Sequence, residues 1–137
     1  MNEVFVNEVY VFVYGTLKKN QSNHSVLERI NGLLVGNGKT TYPTFQMFSM
    51  NDWYPAIIDG NSYINGEVYL INEDNLFSDL DVLESYPDLY QRKAIDVTLD
   101  SGAKIKAIVY YMSGSFGDIK DKPSERIIYK DNCYNWI

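Results

Sequence analysis

Val9-Tyr10-Val11-Phe12-Val13-Tyr14-Gly15-Thr16-Leu17 is the stretch on which the fold turns. Its first six residues are all β-branched or aromatic, too apolar to leave one face of a strand in water. They predict a strand buried on both sides. The run stops at Gly15, whose missing Cβ admits backbone angles closed to other residues and lets a ligand approach the main chain. Thr16, a short polar run and a helical segment from near Asn23 come next. A buried strand that delivers a glycine turn with free N–H groups is one way to hold an anion or an oxyanion. Taken alone, the pattern reads first as an ordinary strand-to-loop transition, and the site reading needs a partner group elsewhere in the chain.

Outward from this stretch, composition bounds the rest. A chain of 137 residues suits a single domain, spanning residues 1–137, with a real core. Hydrophobic residues make up 45% and charged residues 22%, which favours folding over disorder. The 12 tyrosines suit strands and pocket walls, where an apolar ring carries a polar tip. Net charge is −6 with no basic stripe, which argues against nucleic acid and anionic membrane surfaces as partners. The single Cys133 rules out an intrachain disulfide and suits a reducing compartment. With no basic leader and no apolar run of membrane length, the expectation is a cytoplasmic protein, monomeric or weakly dimeric.

The single His24 and single Cys133 also narrow the chemistry. A zinc site would have to be completed by carboxylates, and a nucleophilic triad would need His24 as its base. His24 reads instead as a first-turn helix residue in solvent. No metal is expected, and hydrolytic or transfer chemistry here falls to a carboxylate.

Along the chain, Val4-Phe5-Val6 reads as an edge strand or strand extension, and Ser25 to Ile30 as a short helix ending near Asn31-Gly32. Leu33 to Val35 is strand-like, Gly36-Asn37-Gly38 reads as a turn, and Thr40 to Met50 as a strand interrupted by Pro43. Gly38-Lys39-Thr40 is not a phosphate-binding loop, because its first glycine is out of register and no helix follows. Trp53 to Ile58 is a strand whose Pro55 suggests an edge or a bulge, and Tyr63 to Ile71 another strand. Asn72 caps a helix with Glu73 and Asp74 in its first turn, running to about Ser85 before Pro87. Tyr90 to Leu99 and Lys104 to Met112 form a hairpin about Asp100-Ser101-Gly102. No element is assigned from Ser113 to Ile137. Short strands, few helices and frequent turns give an α+β fold, a small mixed β-barrel flanked by short helices.

The helix from Asn72 carries the second informative feature. Leu76, Phe77, Leu80 and Leu83 form an apolar stripe, and Glu84, four residues after Leu80, falls inside it. Asp74, Asp79 and Asp81 lie outside the stripe or at its margin, and Asp79, Asp81 and Glu84 diverge too far around the helix to read as a divalent-metal cluster. A carboxyl on an apolar face has its charged form disfavoured, so its pKa rises toward neutrality, the condition for one glutamate to serve as base and acid. The alternative is a structural glutamate at the helix end, paired with Arg92.

Together these features resemble a known family. Val11-Phe12-Val13-Tyr14-Gly15-Thr16-Leu17-Lys18 is similar to the Tyr-Gly-Thr/Ser-Leu signature of γ-glutamylcyclotransferase-like proteins. Gln21-x-Asn23-His24-x-Val26-Leu27 and Leu89-Tyr90-Gln91-Arg92 look most like γ-glutamylaminecyclotransferase. Gly66-Glu67-Val68-Tyr69 and Leu80-Asp81-x-x-Glu84 fall between them in the expected order. The resemblance covers Val11 to Met112. It implies a mixed barrel and the cyclisation of a γ-glutamyl amide to 5-oxoproline and a free amine, without cofactor or metal. It maps a substrate-binding loop onto Tyr14, Gly15, Thr16 and Leu17, and a catalytic role onto Glu84. Two other readings share the fold: a non-catalytic binding module for a small metabolite, and an enzyme that removes a γ-glutamyl protecting group during a biosynthesis.

Overall fold

The computed structural model describes residues 7–50, 52–112 and 124–137. Strand β1 (Glu8–Val13) leads into the loop that carries Gly15, and α1 (His24–Arg29) follows. Then come β2 (Leu33–Thr40), β3 (Phe45–Met50), β4 (Tyr54–Asp59) and β5 (Tyr63–Asn72). A continuous helical run is built from α2 (Glu73–Asn75), a π-helical turn (Leu76–Leu80) and α3 (Asp81–Leu83). It is followed by β6 (Gln91–Leu99), β7 (Lys104–Tyr111), β8 (Ile127–Lys130) and β9 (Cys133–Trp136).

The strands close on themselves. The order β1-β7-β6-β2-β5 returns to β1 through the β1–β5 pairing, giving a five-stranded mixed barrel. β1 runs parallel to β7, with Val11 opposite Ile108, and antiparallel to β5, from Glu8 opposite Asn72 to Val13 opposite Glu67. Closure removes the sheet edges that a short flat sheet would leave exposed. The β3–β4 hairpin is a separate two-stranded sheet, and the β8–β9 hairpin extends β5 through a parallel β5–β9 contact.

The opening strand is buried on both sides only in its second half. Val11, Phe12, Val13 and Tyr14 are buried, whereas Tyr10 is 36% exposed. Alternate residues enter different clusters, as the two-residue period of a strand requires. Val11 and Val13 pack with Leu27, Leu76 and Leu80 from the helices. Phe12 and Tyr14 pack with Val68, Val97, Val109 and Trp136.

Three expectations need correction. The Gly36-Asn37-Gly38 turn is absent, because β2 runs through it to Thr40, with a register shift between Leu34 and Gly36. Gly38 serves a close strand crossing, since a Cβ there would lie 2.6 Å from the Thr98 carbonyl oxygen. Phe77 leaves the helical stripe and is 51% exposed. Asp81 donates its N–H to the Leu76 carbonyl, the i→i+5 bond of a π turn, which widens the helix at this point and rotates Phe77 outward. The Arg92 guanidinium covers that ring at 5.2 Å. The unassigned tail supplies β8 and β9, joined through Asp131 and Asn132, both with positive φ (53° and 59°). The Val4-Phe5-Val6 strand lies outside the described residues.

Candidate active site

The loop after β1 and the end of the helical run meet at one cavity of about 580 Å³. Tyr14, Gly15, Thr16 and Leu17 all line it, and so does Glu84. The two stretches that the sequence singled out, almost seventy residues apart, are therefore neighbours in space. The β4 wall, with Tyr54 and Pro55, faces them, and Tyr90 and Tyr110 complete the interior.

Gly15 is needed for a reason other than backbone freedom. Its φ lies outside the left-handed region that Gly102 occupies at 91°. A Cβ at Gly15 would instead fall 2.5 Å from Pro55 Cγ and 2.8 Å from Pro55 Cδ. The glycine thus lets the loop press against the rigid β4 ring. Among the described residues, the main-chain N–H groups of Gly15, Thr16 and Leu17 have no protein acceptor. Three amides without a protein acceptor, on residues that line a cavity, are donors available to an anion or a polarised carbonyl.

Other contacts fix the loop from behind. Asn23 N–H donates to the Thr16 carbonyl at 2.8 Å, and Asn23 Nδ2 donates to Thr16 Oγ1 at 2.9 Å. His24 Nδ1 lies 2.9 Å from the Leu17 carbonyl oxygen, so the ring proton sits on Nδ1 and is donated there. With its side chain only 17% exposed, His24 anchors the loop and is not the solvent-facing residue expected. Lys18 Nζ donates to the Trp136 carbonyl and, at 3.4 Å, to Asn135 Oδ1, tying the loop to β9. Burial holds the Lys18 ammonium below its ordinary pKa.

Glu84 hangs one turn beyond the fully buried Leu80, whose carbonyl accepts the Glu84 N–H at 2.9 Å. The helix ends there, and Ser85 turns away with φ 51°. Burial raises the Glu84 carboxyl from 4.5 to about 7. No lysine, arginine or histidine pairs with it among the described residues. Arg92, the expected structural partner, is committed elsewhere, with Nε at 2.9 Å and Nη2 at 3.2 Å from the two Asp81 carboxylate oxygens. Asp81 also accepts from Tyr110 Oη at 2.6 Å. Asp81 is thus engaged by a cation and a phenol, while burial alone acts on the carboxyl of Glu84, three residues on.

The tyrosines are scaffolding donors. Tyr14 Oη donates to the Tyr110 carbonyl at 2.8 Å, and Tyr90 Oη donates to the Pro55 carbonyl at 3.0 Å. Burial first, with the Glu84 charge contributing, pushes the phenols of Tyr14, Tyr90 and Tyr110 up, so they stay protonated and hold these bonds. Of the two Tyr-Pro pairs that resembled the family's middle strands, Tyr42-Pro43 and Tyr54-Pro55, it is Tyr54-Pro55 that lines the cavity, while sequence reading missed Tyr110 and Arg126. Of Tyr90 and Tyr110, only Tyr90 carried a signal, through the Tyr90-x-Arg92 spacing.

By its geometry this is a closed mixed barrel with a cavity at the end of its first strand. The chain belongs to the family described as "Gamma-glutamyl cyclotransferase, AIG2-like", which it matches over residues 11–135. Gamma-glutamylaminecyclotransferase A of Danio rerio is 32% identical over 126 residues, covering 85% of this chain and 76% of that protein. A Methanocaldococcus jannaschii protein, whose γ-glutamylcyclotransferase name is itself provisional, is 37% identical over 110 residues, covering 79% and 88%. The crystal structure of an AIG2-like protein from Mus musculus superimposes with a TM-score of 0.74 at 26% identity, covering 86% of each chain. Among the described residues no helix is long and apolar enough to cross a membrane.

Proposed function

We propose that the chain is a γ-glutamyl cyclotransferase in which Glu84 moves the protons, converting a γ-glutamyl amide to 5-oxoproline and a free amine. The observation that carries this reading is a Glu84 carboxyl raised to about 7 by burial, set on the same cavity as the unengaged Gly15–Leu17 amides. Family membership and the names of its relatives support it.

In such a substrate the nucleophile is the α-amine of the same molecule, so the protein need not supply one. Ionised Glu84 takes a proton from the α-ammonium, and the freed amine attacks the γ-carbonyl carbon to form the ring C–N bond. Negative charge grows on the carbonyl oxygen as the centre becomes tetrahedral. The protonated Glu84 then gives its proton to the departing nitrogen as the amide C–N bond breaks. The ring nitrogen passes its remaining extra proton through Glu84 to the released amine, which leaves as an ammonium, so the α-nitrogen loses two protons, the leaving nitrogen gains two, and Glu84 ends as the carboxylate it began. The amides of Gly15, Thr16 and Leu17 hold an anionic oxygen of the substrate, either its α-carboxylate or the developing oxyanion.

The test is direct detection of 5-oxoproline from a panel of γ-glutamyl-ε-lysine, γ-glutamyl-alanine and glutathione. Release from at least one is the expected result. Binding of these compounds without turnover would instead favour a non-catalytic binding module and refute the reading.

A further inference from the structure

Among the described residues, Tyr14, Tyr54, Tyr90 and Tyr110 line the Glu84 cavity. Three of these phenols are committed. Tyr14 donates to the Tyr110 carbonyl, Tyr90 to the Pro55 carbonyl and Tyr110 to the Asp81 carboxylate. Tyr54, the first residue of β4, differs: its hydroxyl has no hydrogen-bond partner among the described residues.

The Tyr54 ring is nonetheless held in place. It is half-buried and packs against the apolar cluster that contains Leu17, Leu80 and Tyr90. Its neighbour Pro55 is pinned from two directions. A Cβ on Gly15 would fall 2.5 Å from Pro55 Cγ, and the Tyr90 hydroxyl bonds the Pro55 carbonyl at 3.0 Å. A fixed phenol with an unused O–H on a cavity wall is prepared for an acceptor from outside the protein.

Its place among the walls says which acceptor. The loop brings the Gly15, Thr16 and Leu17 amides, with the Thr16 hydroxyl engaged by Asn23 Nδ2. The helix end brings Glu84. β4 touches both, the loop at Gly15 and the Glu84 side through Tyr90, whose phenol is pushed up by burial first and then by Glu84 and Tyr54. A cyclising γ-glutamyl amide presents two anionic groups, its α-carboxylate and the oxygen of the attacked carbonyl. Three successive amides suit the two oxygens of a carboxylate, and one phenol suits a single oxygen on which charge grows. The attacked carbon carries both nitrogens that Glu84 serves, so its oxygen lies beside Glu84 and within reach of the adjoining wall.

We propose that Tyr54 is a catalytic residue whose hydroxyl donates to the γ-carbonyl oxygen as it becomes an oxyanion, leaving the loop amides to hold the α-carboxylate. This rests on the cyclotransferase reading above. The phenol keeps its proton throughout. The oxygen gains charge as the ring C–N bond forms and returns to a carbonyl as the amide C–N bond breaks.

The experiment measures kcat, KM and Tm for the wild type, Tyr54→Phe and Tyr90→Phe. The substrate is whichever of γ-glutamyl-ε-lysine, γ-glutamyl-alanine and glutathione the wild type turns over fastest. Tyr54→Phe is expected to lower kcat by about a hundredfold with KM little changed, the effect of removing one oxyanion donor. Its Tm should match the wild type, because the lost hydroxyl bonds no described protein group. Tyr90→Phe leaves the buried Pro55 carbonyl without its donor and should instead lower Tm. An unchanged kcat in Tyr54→Phe would overturn the proposal. A loss confined to KM would do the same, since it would put the hydroxyl on a group already charged in the bound substrate. A fall in Tm like that of Tyr90→Phe would also overturn it, by showing that the hydroxyl serves the fold. Failure of the cyclotransferase reading itself would look different, as a wild type that releases 5-oxoproline from none of the three compounds, and it would take this proposal with it.

Discussion

Replacing Glu84 with glutamine is expected to stabilise the protein at high pH. The folded state raises this carboxyl from 4.5 to about 7 by burial. Between those values the folded protein holds a proton that the unfolded chain has released, so stability falls as pH rises through the interval. At about 1.4 kcal/mol per pH unit, the native state above pH 7 carries about 3 kcal/mol of unfavourable charge at this site. Water entering the cavity mouth reduces that figure, which makes it an upper bound. Glu84→Gln removes the charge and keeps the shape. Urea denaturation at pH 8 should therefore show the variant more stable than the wild type by about 1–3 kcal/mol, and near pH 4.5 the difference should vanish. A variant less stable at pH 8, or a difference unchanged with pH, would refute the desolvation argument. Together with lost activity, the expected result would mark Glu84 as a residue kept for function at the expense of stability.

Other expectations follow from the same geometry. If Glu84 acts first as a base, kcat/KM for a neutral-leaving-group substrate rises with pH and levels off above about 7, as a pH–rate profile would show. Gly15→Ala sets a Cβ 2.5 Å from Pro55 Cγ and should cost about 1–3 kcal/mol in thermal unfolding while raising KM, because the β4 wall must move. Asp81→Asn weakens the Arg92 fork and the Tyr110 bond and should cost about 2–4 kcal/mol in urea denaturation, without shifting the inflection of the pH–rate profile.

Both halves of the candidate site were legible in the sequence because each breaks a local rule. An apolar strand stops at a glycine beside polar residues, and a glutamate sits where the helical period places leucines. What holds the halves together was not legible. The periodicity behind the Leu76, Phe77, Leu80 and Leu83 stripe assumes 3.6 residues per turn, and the π turn at Leu76–Leu80 breaks it, so Phe77 was misplaced. Glu84 was placed correctly because the bond between its N–H and the Leu80 carbonyl restores the α-helical spacing just before the helix ends. Gly36-Asn37-Gly38 has turn composition but strand geometry, since Gly38 answers to the approach of β6, a contact some sixty residues away. The β8–β9 hairpin did carry a signal. Asp131-Asn132 between two four-residue strands suits the positive-φ pair of a tight hairpin, though without the glycine that usually announces it. Missing that hairpin also hid the Lys18 tie to β9 and the Arg126 rim, which depend on it.

The central claim is that one desolvated carboxyl carries the protons of an intramolecular cyclisation. Its most direct test measures 5-oxoproline released from a γ-glutamyl amide by the wild type and by Glu84→Gln, with circular dichroism confirming that both are folded. The account predicts release by the wild type and a loss of at least about a hundredfold in the variant, the scale of general acid–base catalysis. Near-full activity in a folded Glu84→Gln protein would contradict it.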